Sequence, residues 1–323
     1  MIVNQGRTIL VALGAAAAIL VAGLVTPKWL MFLTTMSVSH GLAILGIVVL
    51  SRGGGATFGQ GLFFAIGAYA AALAEHQMGI SDALLRVLLG GLSAGLLGSL
   101  AAPLLTRYRG IFFAMLTLAL SMVVYGILTK ATALGGSDGF NLSRPTLFGF
   151  ALEGESGDYV LFAVTIVVSA FCSALVAIYF RSASGLVSLA VRSNALRLEY
   201  LGASTRASLG LDFTIASILG GVGGALTGLA LGHVDPNFAY WTTSGEFVFA
   251  AVLSGYQSVF AVFIASLGLE MVRSFSNLYF PNTWQLALGL SLILVVLFLP
   301  EGIGSIWNGR RRQRRVAQVG SVS

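Results

Sequence analysis

The sequence predicts an all-α fold: a polytopic transmembrane helical bundle of about ten spans with both termini cytoplasmic. The first observation behind this is composition. Of 323 residues, 57% are hydrophobic and 9% charged, and the mean hydropathy is +0.91, so the chain cannot present a conventional charged surface to water and its solvent must be lipid. The second is that apolar runs of roughly the 20 residues needed to cross a bilayer recur along the whole chain. The third is the placement of basic residues. With the N-terminus inside and ten crossings, Arg7, Arg52, Arg107, Arg109, Arg181, Arg192, Arg197, Arg206 and the tail arginines Arg310, Arg311, Arg312, Arg314 and Arg315 all fall on the cytoplasmic side, 13 of the 18 basic residues. The net charge of +6 is thereby explained by topology and anionic headgroups, and no nucleic-acid partner is needed.

In order, the expected spans are Thr8 to Thr26, Leu30 to Leu50, Gly61 to Met78, Ala83 to Leu105, Ile111 to Lys130, Tyr159 to Phe180, Leu209 to Leu231, Phe247 to Ser258, Val259 to Leu278 and Trp284 to Leu299. The first is read as an uncleaved helix rather than a signal peptide, because no soluble domain follows it. The eighth reaches Gly255 soon after Glu246, so it is either a short tilted helix or half of a broken one. Residues 1–323 read as a single transmembrane domain, with an extracytoplasmic loop at 131–158, a cytoplasmic loop at 182–208 and a basic cytoplasmic tail at 301–323.

Glycine is abundant and ordered. Gly220, Gly224, Gly228 and Gly232 recur every four residues behind Ala216, and Gly90, Ala94, Gly98 and Ala102 form a similar ridge. Small residues at this spacing let helix backbones approach closely where lipid supplies no hydrophobic drive; tight packing is the expected role, with substrate contact as the alternative. The run from Arg52 to Gly61 is too rich in glycine for continuous helix, and reads either as a broken helix beside a transport path or as a plain loop. Cys172 falls within the sixth span, where packing is the expected role.

Enzyme chemistry finds no support. His40, His76 and His233 lie in separate segments, no His, Asp or Glu cluster has metal-ligand spacing, and neither a catalytic residue, a metal site nor a cofactor is expected. Lys28 and Lys130 stand outside any nucleotide-binding glycine loop, so a pump built on this chain must draw on ATP hydrolysed elsewhere. The spans are nearly free of ionisable residues. Asp212 and Glu246 fall at expected span ends, and Glu270 and Arg273, three apart on one helix face, are expected to pair with each other, a relay role being the alternative.

Ser184 as N-cap and Gly202 as terminator make Gly185 to Leu201 one helix of about four turns, carrying Arg192, Arg197 and Glu199 and an apolar side of Leu189, Leu196 and Tyr200. Such an element lies against the membrane or in a partner's groove.

Five segments, in order, carry a family likeness: Gly59 to Ala71; Arg109-Gly110-Ile111-Phe112-Phe113-Ala114 with Thr117-Leu118-Ala119; Gly135-Gly136-Ser137-Asp138-Gly139; Ala190-Val191-Arg192 through Glu199-Tyr200-Leu201-Gly202; and Leu297-Phe298-Leu299-Pro300-Glu301-Gly302. Together they resemble the membrane permease subunits of ATP-binding-cassette importers for branched-chain amino acids, specifically the larger of the two paired permease types. The likeness spans roughly Gly41 to Trp307, with Gly59-Gln60-Gly61 and Tyr200 departing from the commoner family residues.

The resemblance implies a multi-pass protein of the bacterial inner membrane that pairs with a second permease subunit and receives solute from an extracytoplasmic solute-binding protein. Two cytoplasmic ATPase subunits would bind through Gly185, Arg192, Arg197, Glu199 and Gly202 and drive alternating access. Branched-chain amino acids or similar small polar solutes are the implied cargo; urea, short amides and aromatic acids are alternatives within the family. From another class, an ion-driven secondary carrier would show paired intramembrane carboxylates in two matching halves, which the sequence lacks, and a scaffolding membrane protein is the third reading. Gln60, Phe63, Thr117, Ser121, Asn237 and Glu246 are candidate path residues, as polar or aromatic groups near broken or facing segments, with ordinary packing or helix-end solvation as the alternative.

Overall fold

The computed structural model describes residues 16–151, 154–256 and 258–279, together with residue 14 and residues 286, 289–290, 293 and 297. Of the expected first span, residue 14 and residues 16–26 are described, with residues 16–23 helical; most of the expected tenth span and the tail at 301–323 lie outside the described residues. The main helices are α1 (Lys28–Arg52), α2 (Gln60–Met78), α3 (Ala83–Leu105), α4 (Ile111–Lys130), α5 (Gly154–Tyr179), α6 (Ala183–Ser193), α7 (Ala195–Tyr200), α8 (Thr205–Leu231), α9 (Trp241–Ser254) and α10 (Val259–Tyr279). Six of them, α1, α3, α4, α5, α8 and α10, are long and apolar enough to cross a membrane by length and composition.

Charge distinguishes the two ends of the bundle. Arg52, Arg107, Arg109, Arg192 and Arg206 lie at the helix ends of one, while Glu75, Asp82, Asp138 and Asp235 gather at the other.

Helix α8 is the hub, packed against α1, α2 and α3. The most apolar windows of α1 and α8 are 89% and 72% buried, against 22% for α4 and α10. Small residues permit this density. Gly223 faces α1, where an added Cβ would stand 2.6 Å from the Ser39 carbonyl, and Gly220 faces α2, where it would stand 2.7 Å from Gln60 Nε2. Gly221 backs onto Gly90 and Ala94 of α3, and Gly224 onto the Phe64 backbone. Glycine thus lines several faces of α8, rather than the single face the four-residue spacing suggested. Gly232 does not belong to the ridge: it is the left-handed residue (φ 65°) that ends α8, its N–H bonding the Gly228 carbonyl.

Helix α3 shows the packing rule from both sides. Gly90, Ala94, Gly98 and Ala102 are buried, whereas Leu85, Leu88, Leu92, Leu96, Leu100 and Leu104 point outward. A helix with its large apolar residues outside and its small ones inside is built for lipid. The Asp82 carboxylate caps its start by accepting the Leu84 and Leu85 N–H groups.

The expected loop at 131–158 gives up its last residues to α5, which begins at Gly154. Its remainder is ordered by two short antiparallel pairs, Phe140–Asn141 with His233–Val234 and Thr146–Leu147 with Phe150–Ala151. The loop is fastened to α2 and α3: Glu75 accepts the Ser143 N–H, and Asp82 accepts the Phe148 N–H at 2.8 Å.

Two stretches of the bundle are not continuous full-length helix. After α1, residues Gly53 to Gly59 are not helical. Gly55 lies against Leu209 and Gln60 against Ala216, seven residues further along α8, so this segment climbs about 10 Å into the bundle before α2 begins. On the other side a 3-10 turn, Pro236–Ala239, leads into α9, whose 14 residues are too few for a full crossing. The short eighth span is therefore half a helix. It starts at Trp241, six residues before the expected start, and ends at Ser254 because Gly255 adopts φ 71°.

Candidate functional site

The segment between α5 and α8 is where the structure departs most from a simple loop helix. Ser182, not Ser184, caps it, its hydroxyl accepting the Gly185 N–H. The expected single helix from Gly185 to Leu201 is two helices, α6 and α7, broken at Asn194 (φ −162°, ψ 98°), whose side chain accepts the Arg197 N–H and so starts the second. Gly202, at φ 84°, terminates α7 as expected.

The burial of α6 is inverted relative to a soluble amphipathic helix. Its buried residues are Gly185 and Ser188, whereas Leu186 and Leu189 are exposed, and in the rest of the segment Leu196, Tyr200 and Leu201 are 69%, 90% and 78% exposed. Gly185 fits because the Tyr179 and Phe180 backbone presses on it. Ser188 Oγ donates to Asp212 Oδ2 at 2.5 Å, and Tyr179 donates to Asp212 Oδ1 at 2.6 Å. Asp212 is fully buried. It is not at a span end as expected, because α8 begins at Thr205, and Ser204 caps that start by accepting the Ala207 N–H.

The charged residues of the segment turn back onto the protein. Arg192 donates to the Ser51 carbonyl at 3.0 Å and lies 3.8 Å over the Tyr256 ring, bracing α6 against the end of α1 and the link after α9. Glu199 meets Arg109 at 3.3 Å and accepts from Thr205. The Thr205 hydrogen bond and then the Arg109 guanidinium hold its carboxyl below the usual range. Arg197 stays exposed.

The candidate path residues fall into two places. Gln60 and Phe63 start α2 and are 1% exposed; Gln60 Nε2 donates to the Ala216 carbonyl and Phe63 stacks edge-on against Phe213. Thr117 accepts from the Phe58 N–H, and Ser121 donates to the Ala239 carbonyl at 2.8 Å. The Gly61 N–H donates to Ser244 in the first turn of α9. These bonds bring the climbing segment, the start of α2, the middle of α4 and the start of the half-helix together. Asn237 is in the 3-10 turn beside them, exposed, its carbonyl accepting from Thr243.

Glu246 stands apart, in a charged cluster between α1, α9 and α10. It pairs with Arg273 at 3.4 Å, while Glu270 pairs with His40 at 3.1 Å beneath the Phe64 and Phe247 rings. Each of these side chains finds an opposite partner on a neighbouring helix, while Glu270 and Arg273 stay within electrostatic reach of each other. Among the described residues, no group of three or more His, Cys, Asp or Glu side chains is placed to hold a metal ion.

Sequence reasoning missed Ser188, Tyr179, Arg109 and Tyr256. One signal for Ser188 was present: Gly185, Ser188 and Arg192 share a helix face that is small and polar, the only face of α6 able to sit against a buried carboxylate.

Compared with known proteins, the chain matches over residues 29–299 the family model described as the permease component of branched-chain amino acid transport systems. It is similar to the high-affinity branched-chain amino acid transport system permease protein LivM of Escherichia coli K12, at 28% identity over 84% of this chain and 69% of that protein. The corresponding LivM of Salmonella typhimurium LT2 is 29% identical over the same shares. No solved structure gives a significant match.

Proposed function

The chain belongs to the branched-chain amino acid transport permease family, and from that premise we propose that it is the membrane-spanning permease subunit of an ATP-binding-cassette importer. It carries branched-chain amino acids or similar small polar solutes inward across a bacterial inner membrane, about ten spans forming one domain with both termini cytoplasmic. The observation that carries this is the inverted segment at 182–208: an ordered element at the basic end of the bundle, bonded inward by Ser188, Arg192 and Glu199 and presenting Leu186, Leu189, Leu196, Tyr200 and Leu201 outward. Exposed apolar residues on a braced scaffold suit a groove on a partner better than they suit water.

In this reading two cytoplasmic ATPase subunits serve this chain and a second permease subunit, one seating the α6–α7 surface, with Gly185, Arg192, Glu199 and Gly202 giving the surface its shape and Arg197 contacting the partner. An extracytoplasmic binding protein delivers solute at the acidic end. The path follows the interrupted segments, where Gln60, Phe63, Thr117, Ser121 and Asn237 surround the starts of α2 and α9. Irregular backbone inside a bundle is tolerated where protein or a cavity satisfies it, and half-helix N-termini present N–H groups that suit a carboxylate. Motion of the coupling segment then shifts α8 and its glycine-packed neighbours between access states.

The test is recruitment. Replacing Leu196, Tyr200 and Leu201 together with serine should abolish co-purification of the ATPase subunits while leaving the permease extractable and monodisperse. Undiminished recruitment by that variant refutes the docking surface.

A further inference from the structure

The covalent route from the coupling helix α6 to the central helix α8 is poorly suited to carrying force. It passes through the extended break at Asn194, a six-residue helix and the left-handed turn at Gly202. A push on the exposed face of α6 or α7 would be absorbed at these joints unless something else ties α6 to α8.

Asp212 supplies that tie. It lies in the second to third turn of α8 with no exposed surface, and its two oxygens are shared between Ser188, in the middle of α6, and Tyr179, the last residue of α5. Hydrogen bonds from hydroxyls to a carboxylate are short and stronger than neutral ones; the Ser188 bond is made out of contact with water and the Tyr179 bond is part-buried. Gly53, just past α1, closes the arrangement: a Cβ there would collide with Asp212 and stand 2.9 Å from Ser188 Oγ, so the end of α1 lies over the tie. Arg52 is within electrostatic reach of the carboxylate, and its guanidinium lies 4.1 Å over the Phe180 ring. A carboxylate removed from solvent is costly, and this one holds together α5, α6, α8 and the end of α1 through one residue.

We infer that Asp212 is a positioning residue that makes α6 and α8 move as one body, so that displacement of the coupling segment reaches the glycine-packed core through the Ser188–Asp212 bond and not through the chain from Asn194 to Ser204. This rests on the reading of residues 182–208 as the ATPase-coupling segment. A role confined to stability would lower the amount of folded protein without changing the solute moved per ATP.

The test uses the full transporter in proteoliposomes with Asp212→Ala and the milder Ser188→Ala, reading ATPase co-purification, ATP hydrolysis and uptake separately. The expected result for D212A is retained co-purification, continued hydrolysis and uptake per ATP reduced at least about tenfold, with S188A in the same direction but smaller. Assembled transporter with uptake per ATP within about twofold of wild type in both variants overturns the inference. A second measurement needs no ATPase: nitroxides on exposed Leu189 of α6 and exposed Leu231 of α8, roughly 30 Å apart by helix rise, in a Cys172→Ser background. The pulsed-EPR distance distribution should be narrow with Asp212 and broad in D212A and S188A. If it stays narrow in both, the tie is refuted even where D212A assembles poorly. Loss of recruitment in the wild type alongside a narrow-to-broad change would instead refute the coupling function and leave the tie standing.

Discussion

Removing Glu75 should destabilise the acidic end of the bundle by an amount the structure sets. Arg86 of α3 has no exposed side-chain surface, and its Nη2 lies 2.7 Å from Glu75 Oε2 on α2, while Nε donates to the Ala71 carbonyl at 3.0 Å. The short Nη2 contact is a charge-assisted ion pair in which the Coulombic attraction is the larger part. Deleting one partner of a buried pair costs about 3–5 kcal/mol because the other charge is left uncompensated. The Glu75 side chain is 21% exposed, so water partly replaces it and the lower end, about 3 kcal/mol, applies to Glu75→Ala. Glu75 also accepts the Ser143 N–H, whose loss adds about 0.5–1 kcal/mol. In the double variant Glu75→Ala/Arg86→Met no charge remains buried, and all but about 1 kcal/mol should return. The assay is dodecyl-sulfate titration of the purified protein in mixed micelles, comparing midpoints of the wild type and the two variants. A single variant within about 1 kcal/mol of wild type, or a double variant less stable than E75A, would show that Arg86 is not held by this pair.

Two further outcomes follow from the charged groups. Glu199 has its carboxyl depressed by Thr205 and Arg109, so its contribution to holding α7 is present above the ordinary carboxylate range and is lost as pH falls through the lower folded value. Limited proteolysis near Gly202 should therefore accelerate only at acid pH in the wild type, whereas Glu199→Gln should be cleaved quickly at neutral pH too; identical profiles would contradict the Glu199 tie. If His40, Glu270, Glu246 and Arg273 form structural pairs and not a proton relay, the chain reconstituted alone should show no uptake under an imposed pH gradient; accumulation abolished by Glu246→Gln would identify an ion-driven carrier.

The transmembrane helices were legible because lipid imposes one rule along their whole length. For α3 and α4 the expected limits, Ala83 to Leu105 and Ile111 to Lys130, are those observed, since polar residues, glycine or proline stand at the boundaries. Helix α8 starts four residues earlier than expected because Thr205 to Ser208 is mostly polar yet helical, capped by Ser204 and tied through Thr205 to Glu199 of α7. The break between α6 and α7 was available in Asn194, a residue that competes with helix interiors for backbone N–H groups, but the amphipathic run across it was the louder signal. Tertiary pairing was not legible. Glu270 and Arg273 share a face at helical spacing, and only the approach of α1 and α9 redirects each to His40 and Glu246. Asp212 resembled a span-end acid for the same reason: its partners come from residues 33 and 24 positions away.

These two kinds of contact divide the work of a moving membrane protein. Between α8 and its neighbours the interface is apolar and rich in glycine and alanine, joined by larger contacts such as Phe63 on Phe213 and scattered polar ones such as Gln60 to Ala216, so its energy comes mostly from many weak dispersion contacts. Polar ties behave differently, because a buried carboxylate that loses its donor pays the full cost of desolvation at once. In the basic half of the bundle polar ties gather at one end: the buried Asp212 on Ser188 and, at the exposed rim, Arg192 on Ser51 and Glu199 on Arg109. On the proposed function, a stiff collar around a slippery core would convert displacement at one end into relative helix motion in the middle, which neither an all-glycine nor an all-polar bundle would do. The arrangement also accounts for the position of the half-helix α9. Tyr256, just beyond it, stacks under Arg192, so the collar reaches the interrupted segment directly.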